Sequence, residues 1–144
     1  MKRPPALLLA LALAGCVAPE PHSDAAVHGP ALVGTEWRLA KFQSPDNAAG
    51  AILPAAGEVY TMQLNPDGSA AFGLFCNRGT GRWHSADASL AMGSLSIEPG
   101  AVTMAACPPS RLERLGMDLA HVAGFAIRDG RLHLNLAMDG GDYV

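Results

Sequence analysis

Apolar residues that alternate over five or six positions, repeatedly, between turns bearing glycine and proline limit this chain to a fold of short antiparallel strands. The clearest case is Tyr60, Met62 and Leu64, then Asn65-Pro66-Asp67-Gly68, then Ala70, Phe72 and Leu74. Proline presets φ for the turn and glycine accepts a positive φ, so the two runs predict a hairpin with its apolar side chains on one face. Phe125 and Ile127, Asp129-Gly130, and then Leu132, Leu134 and Leu136 predict a second hairpin with a two-residue primed turn. Glu36 to Phe42 reads as a first strand with Trp37 and Phe42 as aromatic anchors, Gly79 to Ser85 as a strand carrying Trp83, and Leu90 to Ile97 as two short pieces around Gly93.

One segment has the helical period. Leu112, Leu115, Leu119 and Val122 form an apolar stripe that predicts a core-packed helix over 110–123. Ser110 and Glu113 have the spacing of a capping box, and Gly124 suits the C-terminal cap. The fold class expected is mainly β with an α+β element: a curved antiparallel sheet or small barrel of seven or eight short strands packed on one amphipathic helix.

The first residues have a different character. Lys2 and Arg3 precede the apolar stretch Ala6 to Ala14, and Leu13-Ala14-Gly15-Cys16 ends it. This resembles a bacterial lipoprotein signal, with residues 1–15 as the leader. The resemblance implies cleavage before Cys16 and acylation of that residue, so that the membrane is a partner through acyl groups on Cys16. Val17, rather than Asp, then implies an outer-membrane anchor with the domain facing the periplasm. Residues 16–31, with three prolines and no apolar period, read as a flexible linker, and residues 32–144 as the folded domain.

Three cysteines are an odd number for an exported chain. With Cys16 acylated, Cys76 and Cys107 remain, and an oxidising compartment makes them a disulfide candidate closing a loop of about 30 residues. Two buried free thiols and a thiol-based site are the alternatives. Without Lys2 and Arg3, 8 basic side chains stand against 13 acidic ones, a sum of −5 with no basic cluster, which disfavours nucleic acid as a partner.

Four pieces stand in order: Leu32-Val33-Gly34-Thr35-Glu36-Trp37, then Cys76-Asn77-Arg78-Gly79-Thr80-Gly81, then Thr103-Met104-Ala105-Ala106-Cys107-Pro108, then a helix and a leucine-rich hairpin. Their order resembles the META-domain family, also called HslJ-like, across about residues 32–138. The resemblance implies a lipocalin-like, β-rich topology with one helix, no established enzymatic activity, and a setting in the cell envelope and its stress responses. It gives Gly34, Trp37, Asn77, Gly79, Thr103 and Met104 structural roles. The chain departs from the family pattern at Phe75, where glycine usually precedes the cysteine.

No nucleophile elbow, metalloprotease helix, P-loop or dinucleotide fingerprint is present in the sequence. His84 and His133 fall on strands and alternate with apolar neighbours, a solvent-face pattern rather than a ligand set; no metal and no cofactor are expected. Asp67, Asp129 and Asp139 each precede glycine and suit turns. The expected function is therefore a non-catalytic, lipid-anchored envelope protein, a monomer that binds an envelope protein partner or supports envelope structure under stress. One alternative is a small apolar ligand in the barrel mouth, lined by Trp37, Tyr60, Phe72 and Trp83. Another, by analogy with small β-barrel lipoproteins, is inhibition of a cell-wall-degrading enzyme.

Overall fold

The computed structural model describes residues 31–46 and 50–144. The expected leader, Cys16 and nearly all of the expected linker lie outside the described residues. Among the described residues eleven strand segments form two antiparallel sheets. The strands are β1 Glu36–Arg38, β2 Phe42–Gln43, β3 Ala51–Ile52, β4 Tyr60–Leu64, β5 Ser69–Leu74 and β6 Asn77–His84. They continue with β7 Met92–Ser94, β8 Ser96–Val102, β9 Val122–Arg128, β10 Arg131–Leu136 and β11 Asp142–Tyr143. One sheet has the order β1-β4-β5-β6-β8, the other β3-β2-β11-β10-β9-β7.

The expected mainly-β class with one helical element is the fold observed, as curved sheets and not as a closed barrel. The strand count exceeds the expected seven or eight because the run Glu36 to Phe42 is divided between the sheets and because β3 forms in a segment without a strand pattern; the two pieces expected around Gly93 part instead at Leu95, where the chain changes sheets. At Leu95, which is 1% exposed, β7 of one sheet passes directly into β8 of the other. Across residues 39–41 the run from Trp37 to Phe42 does the same, taking β1 into β2. The amides of Ala40 and Lys41 at that crossing both donate to the carbonyl of Val144. Alternation within such a run cannot hold, since each segment faces the core from its own sheet.

The central hairpin forms as its turn chemistry requires. The amide of Gly68 donates to Asn65 O, that of Asn65 to Ser69 O, and Gly68 takes φ +80°, a type I turn closed by a glycine bulge. The Asp67 carboxyl accepts from the amide and hydroxyl of Ser69, and these two bonds hold its pKa below the usual value. Asp129 and Gly130 both have positive φ, so the β9–β10 hairpin closes on the primed turn its sequence predicts. Tyr60, Met62, Leu64, Ala70 and Phe72 are all buried on the inner face.

The helix is shorter than its stripe. Leu112, Leu115, Leu119 and Val122 are buried as the period predicts, yet only Leu115–Asp118 is α-helical, followed by a 3-10 turn at Leu119–His121. Gly116 lies in its centre, where glycine costs about 1 kcal/mol relative to alanine. The Ser110 hydroxyl bonds the Leu112 amide and the Tyr60 hydroxyl, so the capping box to Glu113 does not form. Gly124 is no cap; it pairs with Asn135 inside β9.

Candidate functional site

The two sheets do not meet fully at one end. Between them lies a cavity of about 400 Å³, within the roughly 300–1,000 Å³ range of small-molecule pockets. Its buried floor comes from Phe72 of β5, Leu115 and Leu119 of the helical turns, and Leu134 of β10. Its mouth comes from residues at element ends: Arg38 closing β1, Lys41 at the sheet crossing, Leu53 after β3, and Arg131 opening β10. Leu53 is 66% exposed, an apolar side chain held at the opening without cover.

Of the four aromatic residues predicted to line such a space, Trp37, Tyr60 and Phe72 do so. Trp83 does not. Its indole N–H donates to Asn65 O at 2.9 Å, which holds it at the β4–β5 turn, away from the cavity lining. The sequence reading missed Arg38, Lys41, Leu53 and Arg131, whose neighbourhood no local pattern announces because they belong to separate strands and loops.

Tyr143 forms part of the cavity wall. It packs on Phe42 with ring centroids 4.6 Å apart, and its hydroxyl donates to Asp118 at 2.7 Å. Burial, then the Asp118 hydrogen bond and charge, push the phenol pKa far above its ordinary value. The group is thus a fixed donor and not a base at neutral pH. Tyr60, bonded to Ser110, has its pKa raised by burial, against the Ser110 hydrogen bond.

The motif residues form a second constellation, and its geometry is that of a clamp. Cys76 and Cys107 are joined as a disulfide, with Cα atoms 5.8 Å apart. Asn77 Oδ1 accepts from the Ala105 amide at 2.8 Å and the Thr103 hydroxyl at 2.9 Å, while Nδ2 donates to Cys107 Sγ at 3.0 Å. Thr103 Oγ1 in turn accepts from the Arg78 amide at 2.9 Å. Residues 103–110 have no regular structure, so these side-chain bonds take the place of a strand ladder. Met104, grouped with the same motif, is 92% exposed and takes no part in packing.

The opening motif has an equally local cause. Leu32 is 1% exposed in the core, Gly34 turns the chain at φ +82°, and the Trp37 indole N–H reaches back to Leu32 O at 3.3 Å. Gly79 is buried against Phe72, Leu74 and Val102, where a Cβ would sit 3.3 Å from the Val102 methyl. Phe75 has φ +62° at the first position of the two-residue β5–β6 turn. Glycine is favoured there by backbone sterics, and the phenylalanine is retained against that preference by packing on the core.

His84 is exposed, and His133 bonds Asp142 across β10 and β11 at 2.8 Å, so the two do not converge. Among the described residues no group of three His, Cys, Asp or Glu side chains is placed to hold a metal ion. No helix among them is long and apolar enough to cross a membrane.

Fold and clamp together define a two-sheet β domain stapled beside its helical turn. The META domain model matches residues 30–142, and the chain belongs to the META domain family. An NMR structure of a protein from Burkholderia xenovorans is similar in fold, with a TM-score of 0.58 and 24% identity over 88% of this chain and 95% of that one. No curated protein matches the chain.

Proposed function

We propose that this chain is a non-catalytic, lipid-anchored cell-envelope protein that acts by binding. The anchor rests on the lipoprotein-like run ending at Cys16, which also supports an outer-membrane location and a domain in the periplasm. Several buried acyl chains would hold it firmly, at about 0.8 kcal/mol for each buried CH₂. The polar side chains support the non-catalytic reading: Asn77 and Thr103 of the motifs, and Asp118 and His133 outside them, are engaged in bonds that hold strands and loops together. A role in envelope stress, through an envelope protein partner, is the physiological setting this reading favours.

The observation that favours a specific mode is the apolar cavity behind Trp37 and Tyr60. It supports the second reading, in which the bound species is a small apolar ligand. Crosslinking in intact envelopes, followed by purification and mass spectrometry of both proteins and extractable small molecules, tests the two together. Recovery of a reproducible partner or ligand is expected. Recovery of neither, with a Cys16 peptide free of acyl mass, removes the proposal.

A further inference from the structure

We infer that the cavity takes a single-chain amphiphile with an anionic head, its chain between the sheets and its head against Arg38, Lys41 and Arg131. The inference rests on the ligand-binding reading above and adds the chemical class.

The charge distribution carries it. The whole chain has 13 acidic and 10 basic side chains, yet the cavity lining contains three cationic side chains and no aspartate or glutamate. Among the described residues none of the three makes an ion pair; Lys41 Nζ donates only to Gln43 Oε1 at 3.3 Å. Arg38 and Arg131 are exposed and Lys41 is half-buried, so the charges stand at the mouth while the floor is leucine and phenylalanine. An occupant matching both regions has an apolar body and a negative end. A guanidinium pair and an ammonium group favour a carboxylate or phosphate, through charge-assisted hydrogen bonds. The volume, near the lower end for small-molecule pockets, suits one chain and not two. Exposed Leu53 at the rim would cover the first part of that chain.

The test uses the full chain in phosphatidylcholine nanodiscs. The protein has two tryptophans, and Trp37 lines the cavity while Trp83 does not. Trp83→Phe leaves Trp37 as the reporter, and Trp37→Phe leaves Trp83 as the control. Brominated dodecanoic acid, dodecyl phosphate, dodecanol and dodecyltrimethylammonium are added as quenchers. Half-quenching of Trp37 is expected at about tenfold lower concentration for the two anionic heads than for the alcohol, as three modest surface pairings together would give. The ranking of carboxylate against phosphate then tells a fatty acid from a phosphate-headed lipid as the source. Changing Arg38, Lys41 and Arg131 together to glutamine is expected to abolish the tenfold preference. Thermal stabilisation of the unaltered chain by each compound gives an independent reading should Trp83→Phe not fold. Equal quenching by anionic, neutral and cationic heads overturns the inference and leaves the apolar-ligand reading standing. Neither Trp37 quenching nor thermal stabilisation by any of them overturns both.

Discussion

Removing both cysteines of the staple, as Cys76→Ala with Cys107→Ala, has a magnitude that follows from topology. The bond joins residues 31 apart, and a loop of that size restricts the unfolded chain by about 3–4 kcal/mol at 25 °C in the chain-entropy model. For a domain of this length that is roughly 15 °C in Tm, by the scaling of stability with unfolding entropy. Asn77 adds to this. Its Oδ1 accepts two bonds below 3.0 Å, so Asn77→Ala should cost about 1–2 kcal/mol. The two changes act on the same segment, so their effects should not sum. Once the staple is gone, residues 103–107 must be ordered by hydrogen bonds alone, and Asn77→Ala then removes bonds already partly frayed. A coupling of about 0.5–1 kcal/mol is expected in the triple variant. Thermal unfolding followed by far-UV circular dichroism, on the parent, the double, the single and the triple variant, gives all four values. A double variant melting within about 3 °C of the parent would refute the reasoning, as would two titratable thiols at 76 and 107 in the native, unreduced protein.

Three further outcomes follow from the geometry. Gly81→Ala should destabilise by about 2–3 kcal/mol in denaturant unfolding, because a Cβ there would sit 2.6 Å from Glu98 O, a backbone atom that cannot move aside. Gly34→Ala should cost only about 1 kcal/mol, since the space around it is open and the penalty is its φ of +82° alone; an equal loss for both would contradict this. Tyr143 has a folded pKa raised above the ordinary 10.0, so its contribution is complete below pH 10 and is lost as pH rises beyond it, at up to about 1.4 kcal/mol per unit. Tyr143→Phe should flatten that alkaline decline, and a curve unchanged by the substitution would place the titrating group elsewhere.

What could be read from the sequence was what is local. The β4–β5 and β9–β10 hairpins were legible because a period of two and the turn residues Asn65 to Gly68 and Asp129-Gly130 act within a few positions. The staple was legible by counting, once Cys16 was set aside. The short helix was not, because the four buried residues stand three and four apart from Leu112 through the 3-10 turn to the first residue of β9, the spacing of one continuous helix. The break at residues 39–41 was hidden, and the one at Leu95 was read two residues early at Gly93, for a related reason: both sheets demand alternation, and only their relative placement shows which sheet a residue serves. The cavity depended on that placement too. Trp37, Tyr60 and Phe72 could be guessed as inward aromatics, whereas Arg38, Lys41 and Arg131 come to line one space only after β1, the crossing segment and β10 have assembled. Phe75 is a partial case. The departure from glycine was visible, and the positive φ that gives it meaning was not.

The passage of one chain from sheet to sheet at Leu95, and again at residues 39–41, restricts how the molecule can breathe. A sandwich whose layers are linked only by loops can slide or gape along either flank. Here each flank carries a covalently continuous hinge, so separation of the layers there would require Leu95 to leave the core and Ala40 and Lys41 to release Val144. A guest exchanging with solvent would therefore pass the open end where Leu53 and Gly130 line the cavity, and its rate of exchange is expected to follow those two loops and not the opening of the sheets.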